Sequence, residues 1–120
     1  MKIAISSEGT SLESPVDPRF GRARYFALAD TDTGECSFHD NTQNLNAPQG
    51  AGIQAAQAVA NLGTQSALTG HVGPKAFTTL QAAKIAVYTG VSGTVKEAID
   101  QFISGQIAPT TKADVEGHWA

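Results

Sequence analysis

Arg19, Arg22 and Arg24 are all the arginines of the chain, and they crowd into the stretch Val16-Asp17-Pro18-Arg19-Phe20-Gly21-Arg22-Ala23-Arg24. Guanidinium is a permanent planar cation with several donors. Clustered in an acidic chain, three of them read as a local anion site; the alternative is that they pair with carboxylates such as Asp17. Two glycine turns lie downstream. Leu68-Thr69-Gly70-His71-Val72-Gly73-Pro74 and Tyr88-Thr89-Gly90-Val91-Ser92-Gly93-Thr94 share the form Thr-Gly-x-x-Gly-(Pro/Thr). Each follows an apolar, partly β-branched run and precedes a helical pattern, so each reads as a buried parallel strand turning into a helix. Glycine there permits φ > 0 and close approach of a ligand to the backbone, although ordinary turns use the same residue. In open α/β sheets, ligands bind outside the carboxyl ends of the strands.

Other chemistries lack their residues. Nuclease chemistry on such a sheet uses carboxylates on central strands to hold two metal ions, and neither Lys2-Ile3-Ala4-Ile5-Ser6 nor Gln65-Ser66-Ala67-Leu68 contains one. Thr69 to Lys75 has neither the spacing of a Walker A loop nor the Ser/Thr after its lysine. No Ser/His/Asp or Cys/His set stands out, and the chain is not expected to be an enzyme. The single cysteine, Cys36, allows no internal disulfide and no four-cysteine zinc or iron–sulfur site. His71 is able to ligate copper or iron, yet a lone loop histidine is more simply solvated.

The elements that must position these residues read in the order β-β-β-α-β-α-β-α. Lys2 to Ser6 is a first strand. Ser7 to Ala23 is a long loop with two prolines, of a length that is often functional or disordered. Arg24 to Asp30 and Cys36 to Asp40 form an antiparallel hairpin across the Thr31–Glu35 turn. Alternation puts Cys36 and Phe38 on one face, with Ser37 and His39 on the other; Cys36 reads as a small core residue and His39 as a solvent-face one. After an Asn/Gln-rich loop from Asn41 to Gln49, Gly50-Ala51-Gly52 opens a helix running to Leu62. Gly52, Ala55, Val59 and Leu62 lie on its inner face, and Gly63 stops it. Gln65 to Leu68 is the fourth strand. A second helix starts at Pro74 and buries Ala76, Phe77, Leu80 and Ala83. Ile85 to Tyr88 is the fifth strand. The third helix begins at Thr94, whose capping box with Glu97 is a clear start signal; Val95, Ala98, Ile99, Phe102 and Ile103 face inward and Gly105 ends it. Residues 106–120 are polar and aperiodic, a mobile tail beyond a binding domain of residues 1–105. His118 and Trp119 in it are assigned nothing.

Strands one, four and five should be parallel through right-handed crossovers, with the hairpin extending the sheet antiparallel. This is an α/β, ribonuclease-H-like domain with a mixed five-stranded sheet; a flavodoxin-like relative is the alternative. The loops after strands one, three, four and five would then share one edge. The third helix is capped by Thr94, whereas the first two open on glycine with no capping side chain. Their first N–H groups need partners, and a helix N-terminus carries roughly +0.5 charge. Water satisfies them; an anion satisfies them better. With Lys75 in one first turn and the arginines nearby, an anion pocket is the physical expectation. Cys36, beside the Asp32–Glu35 turn, belongs at the opposite end, about 17 Å away along a strand.

A length of 120 residues fits one domain able to bury a core without disulfides. The net charge of −3 gives no case for nucleic acid. The first residues are too short a run for a signal peptide, and no stretch approaches a membrane span. A cytoplasmic monomer is expected.

Asp17-Pro18-Arg19-Phe20-Gly21-Arg22-Ala23, Gly50-Ala51-Gly52-Ile53-Gln54-Ala55-Ala56 and Thr69-Gly70-His71-Val72-Gly73-Pro74-Lys75-Ala76-Phe77 together resemble the dinitrogenase iron–molybdenum cofactor biosynthesis family. The likeness runs from Met1 to about Gly105. It implies a ribonuclease-H-like fold and an anionic metal–sulfur cluster as ligand. Within the family the chain looks most like the small stand-alone members, because it has none of the cysteine motifs of the radical enzymes that carry this domain as an appendage. That likeness implies a mixed molybdenum–copper sulfide cluster held without covalent bonds to protein. Such a polyanion brings its own soft ligands, leaving the protein to supply donors, positive charge and shape. The implied cluster-binding residues are Arg19, Phe20, Gly21, Arg22, Gly50, Ala51, Gly52, Thr69, Gly70, His71, Val72, Gly73, Pro74, Gly90, Val91 and Ser92, with His71 a metal ligand at most. The alternatives are a carrier of an iron–molybdenum cofactor precursor, and an enzyme or regulator that binds a phosphorylated small molecule at the same pocket. The protein donor or acceptor of the cluster is not legible.

Overall fold

Ile3, Ala4 and Ile5 are apolar in succession, and all three are buried because their strand lies in the middle of the sheet with helices on both faces. The structure, a computed structural model, describes residues 1–42 and 50–110. The strands are β1 (Lys2–Ser7), β2 (Tyr25–Asp30), β3 (Cys36–Asp40), β4 (Ser66–Leu68) and β5 (Ala86–Tyr88). The helices are α1 (Ala51–Asn61), α2 (Pro74–Ala82) and α3 (Val95–Ile103). The sheet order is β3-β2-β1-β4-β5. β1 pairs antiparallel with β2, and β2 with β3. β1 pairs parallel with β4, and β4 with β5. The expected mixed sheet and its order of elements are thus present.

The pleat separates two cores. Ala4, Phe26, Ala67 and Val87 face Ala55, Ala56, Val59, Ala76 and Leu80 of α1 and α2. Ile3, Ile5, Ala27, Ala29 and Leu68 face Val95 and Ala98 of α3, with Cys36 and Phe38 packed at the margin. The expected pairing of Cys36 with Phe38 on one face holds, and Ser37 and His39 share the other, where their side chains lie 2.9 Å apart.

Four strand boundaries shift by one residue. β1 gains Ser7, β2 begins at Tyr25, β4 begins at Ser66, and β5 begins at Ala86. Ile85 is not a strand residue because its N–H still donates to Leu80 O, closing α2 through Lys84 at φ 62°. Ile103 is not inward-facing: it is 60% exposed, at the last residue of α3. Of the expected tail, Ile107 packs on the second core and Thr110 N–H donates to Val87 O on the edge of β5. Residues 111–120, including His118 and Trp119, and residues 43–49 of the Asn/Gln-rich loop lie outside the described residues. Among the described residues, no helix is long and apolar enough to cross a membrane.

Candidate functional site

The long loop after β1 is threaded across the carboxyl ends of the strands by its own backbone. Asp17 N–H donates to Ser6 O at 2.8 Å, continuing from β1. Val16 N–H donates to Gly93 O at 2.9 Å, in the turn after β5. His71 N–H donates to Pro18 O at 2.7 Å and Phe20 N–H to His71 O at 3.1 Å, so Arg19 and His71 are partners in a parallel bridge beyond β4. Asn41, just past β3, donates its side-chain amide to Gly21 O and Ala23 O. Ser6 Oγ, fully buried, is hydrogen-bonded to Asp17 O at 2.7 Å and Thr69 Oγ1 at 2.8 Å. The sequence treats residues 7–23 as a loop; the fold makes them a strap that gathers the strand ends.

Gly70 shows why. A Cβ there would stand 2.7 Å from both Pro18 Cα and Pro18 O, so only glycine lets the strap lie against the β4 turn. The close approach inferred from the sequence exists, and the approaching group is the chain's own backbone. Gly90, at φ 72° with open space around it, is a conformational requirement instead.

The three helix starts differ as expected. At α3 the Thr94 hydroxyl accepts from Glu97 N–H and Glu97 Oε1 accepts from Thr94 N–H. The strap takes the next two donors: Val95 N–H goes to Ser14 O and Lys96 N–H to Leu12 O, each at 2.9 Å. That start is closed to a ligand. α1 begins at Gly50, φ 78°, and α2 at Gly73, φ −79°, and neither has a side-chain cap. Ile53 in the first turn of α1 and Pro74 and Lys75 in the first turn of α2 line a groove of about 310 Å³ with Thr78 and Thr79.

The cations stand on this edge with unequal freedom. Arg19 keeps 45% of its side chain exposed, with Nε 4.0 Å from Oδ1 of the buried Asp17. The same oxygen accepts Arg19 N–H at 3.0 Å, an Asx turn over Pro18. The alternative of pairing with Asp17 is therefore partly realised at Arg19. Arg22 is half-buried, and Arg24 and Lys75 are exposed.

The other candidates divide by burial. Phe20 is 1% exposed and packs on Phe26 at 5.1 Å between ring centroids. Thr69, Val72, Val91, Gly21, Gly70, Gly73, Ala51 and Gly52 are also buried. They give this edge shape and backbone. Gly90 and Val91 donate to Gly70 O and Thr69 O, tying the second turn to the first. His71 and Gly50 are half-buried, and Pro74, Gly90 and Ser92 are exposed.

Cys36 lies at the other end of the sheet. It is the register partner of Ala29, next to Ile3 at the start of β1, whereas the strap begins beyond Ser7. Four residue steps separate the two levels, roughly 13 Å of strand. Burial pushes its thiol above the ordinary value. Among the described residues, no group of three or more His, Cys, Asp or Glu side chains is gathered as a metal-ion ligand set. The edge instead offers guanidinium, ammonium and helix N–H groups, the donor set of a site for an anion that carries its own metal ligands.

Sequence reasoning missed Asn41 as part of this edge. Asp17-Pro18 carried an Asx-turn signal; a single Asn before an Asn-rich loop carried none.

Comparison with known proteins covers nearly the same span. Residues 1–105 match the family model described as dinitrogenase iron–molybdenum cofactor. The apo form of the orange protein from Desulfovibrio gigas is similar in structure, with a TM-score of 0.93 and 42% identity over 95% of this chain and 96% of that one. A putative NifB protein from Thermotoga is similar at a TM-score of 0.84 and 38% identity, covering 97% and 98%. An uncharacterized protein of Methanocaldococcus jannaschii is 28% identical over 109 residues, 89% of each chain.

Proposed function

The chain belongs to the dinitrogenase iron–molybdenum cofactor family, and from that premise we propose that it binds and carries an anionic metal–sulfur cluster as cargo, without turning it over. The cargo we favour is the mixed molybdenum–copper sulfide, held by hydrogen bonds and charge. The likeness to the orange protein supports that choice. One structural observation carries the reading: the Arg19–His71 bridge seats the arginine strap on the turn that leads into the uncapped start of α2. A sulfide-rich polyanion needs donors, positive charge and an apolar wall, and Arg19, Lys75, Ile53 and Pro74 are of those kinds. The strand order, with β2 and β3 antiparallel on one side and β4 and β5 parallel on the other, supports a ribonuclease-H-like reading of the fold.

Metal-free protein mixed with tetrathiomolybdate and Cu(I) should give a coloured complex that co-elutes on gel filtration. Colour that separates from protein on a desalting column would overturn the reading. Two alternatives have specific support. The family description favours an iron–molybdenum cofactor precursor as cargo. The open helix starts would serve a phosphorylated small molecule equally well. Calorimetry with a nucleotide, against thiomolybdate with Cu(I), separates the last from the other two.

A further inference from the structure

We infer that Asn41 is a positioning residue for the anion-binding edge, acting through the backbone that carries Arg22; this rests on the cluster-binding reading above. Asn41 is 1% exposed. Its Nδ2 donates to Ala23 O at 2.8 Å and to Gly21 O at 3.3 Å, and its backbone N–H donates to Arg24 O at 2.8 Å. Two carbonyl acceptors fix which way the amide faces, because only the nitrogen end has hydrogens to give. The fork brackets one residue, Arg22. The carbonyls on either side of it are held by one rigid group at the end of β3.

The residues on either side of the bracketed peptide are apolar and anchored. Phe20 and Ala23 are already in the core, at 1% and 0% exposure. What Asn41 adds is a fixed path for the peptide between them. A guanidinium that projects from an immobilised backbone loses less freedom when it meets its ligand, so binding gains from preorganisation. Without the fork, the same arginine is present but the ligand must order its backbone.

The test is a double-mutant cycle on the full chain, with tetrathiomolybdate plus Cu(I) as the probe. Asn41→Ala should weaken binding about tenfold, because the ligand must then order the peptide that carries Arg22. In an Arg22→Ala background the same change should cost less than about twofold, because a residue that acts through another has nothing left to act on. Equal losses in both backgrounds would overturn the inference, since Asn41 would then act on the fold at large. Asn41→Ser, which keeps one donor, should lose an intermediate amount and serves if the alanine variant fails to fold. Hydrogen exchange on the ligand-free chain gives a second readout. The Phe20 and Ala23 amides should exchange faster in the Asn41 variants while Ile5 and Leu28 stay as they are; unchanged exchange at Phe20 and Ala23 would sink the proposal. A wild-type chain that binds no thiomolybdate removes the cluster reading and this inference with it. A binding wild type with an indifferent Asn41→Ala removes the inference alone.

Discussion

Arg19 and His71 are register partners across a parallel bridge made by two backbone hydrogen bonds, His71 N–H to Pro18 O and Phe20 N–H to His71 O. A cation near the start of the chain is thereby fixed beside a turn from its middle. Neither side chain takes part in the bond, so substitutions at either position should leave the bridge in place.

Arg19→Ala with Arg22→Ala should weaken cluster binding well beyond tenfold and leave the fold intact. Each charge-assisted hydrogen bond contributes about 1.5–3 kcal/mol, and neither side chain belongs to the core: Arg19 keeps 45% of its side chain exposed and Arg22 is half-buried. Retention of the chromophore on gel filtration, with circular dichroism as the control, is the measurement. Unchanged retention would remove the strap from the site.

Asp17→Asn should tighten anion binding a few-fold. The amide oxygen still accepts Arg19 N–H, as Oδ1 does at 3.0 Å, but the carboxylate charge 4.0 Å from Nε is gone. The guanidinium is then released to the ligand and a repulsive charge is removed. Calorimetric titration decides it; weaker binding would mean that Asp17 serves the ligand by aiming Arg19.

Gly70→Ala and Gly90→Ala should behave differently although they occupy equivalent places in the two turns. At Gly70 the new Cβ meets Pro18 backbone at 2.7 Å, so the strap must move, at a cost of about 1–3 kcal/mol. Binding should fall with stability, because the strap carries Arg19. At Gly90 nothing lies within 4 Å and only the positive φ is strained, about 1 kcal/mol. Denaturant unfolding with parallel binding assays separates the two.

Much of this was legible in the sequence, and the rest was hidden for a physical reason. Cys36–Asp40, the α3 capping box, the uncapped starts of α1 and α2 and the mixed sheet were readable because hydrophobic period and turn chemistry are local. The strap was not. Its bonds run through backbone N–H and C=O groups to Ser6, His71 and Gly93, and backbone pairing at long range leaves no pattern in side-chain type. Gly70 carried a signal of close approach, but nothing in the sequence named Pro18 as the group that approaches. Ile103 was misplaced because helical spacing gives the face of a residue and not how well the last residue of a helix is covered: it is 60% exposed.

Thr94→Ala should cost about 0.5–2 kcal/mol of stability with no change in cluster affinity. The first N–H groups of α3 are already taken by Thr94, Ser14 and Leu12. A parallel loss of affinity would place the ligand against α3.

Cys36→Ser should bind the same cluster with the same spectrum. The thiol sits at the far end of the sheet, and burial holds it protonated above the ordinary thiol range. Alkylation at neutral pH should accordingly be slower in the folded chain than in the unfolded one. Loss of colour in a folded Cys36→Ser protein would overturn the non-covalent site.

The strap also sets when the chain becomes competent during folding. A hairpin such as β2–β3 closes quickly because its strands are neighbours in sequence, whereas the β1–β4 pair joins Ile3 to Ser66 and must close a far longer loop. Asp17 has Ser6 of β1 as a partner from the start, but the strap's bonds to His71 and Gly93 have to wait for the turns after β4 and β5. A truncated or half-folded chain therefore displays its arginines on a loose peptide with no turn to brace them. On the proposed cluster reading, only a finished molecule has the braced edge that holds the cargo, and retention of colour would then double as an assay of completed folding.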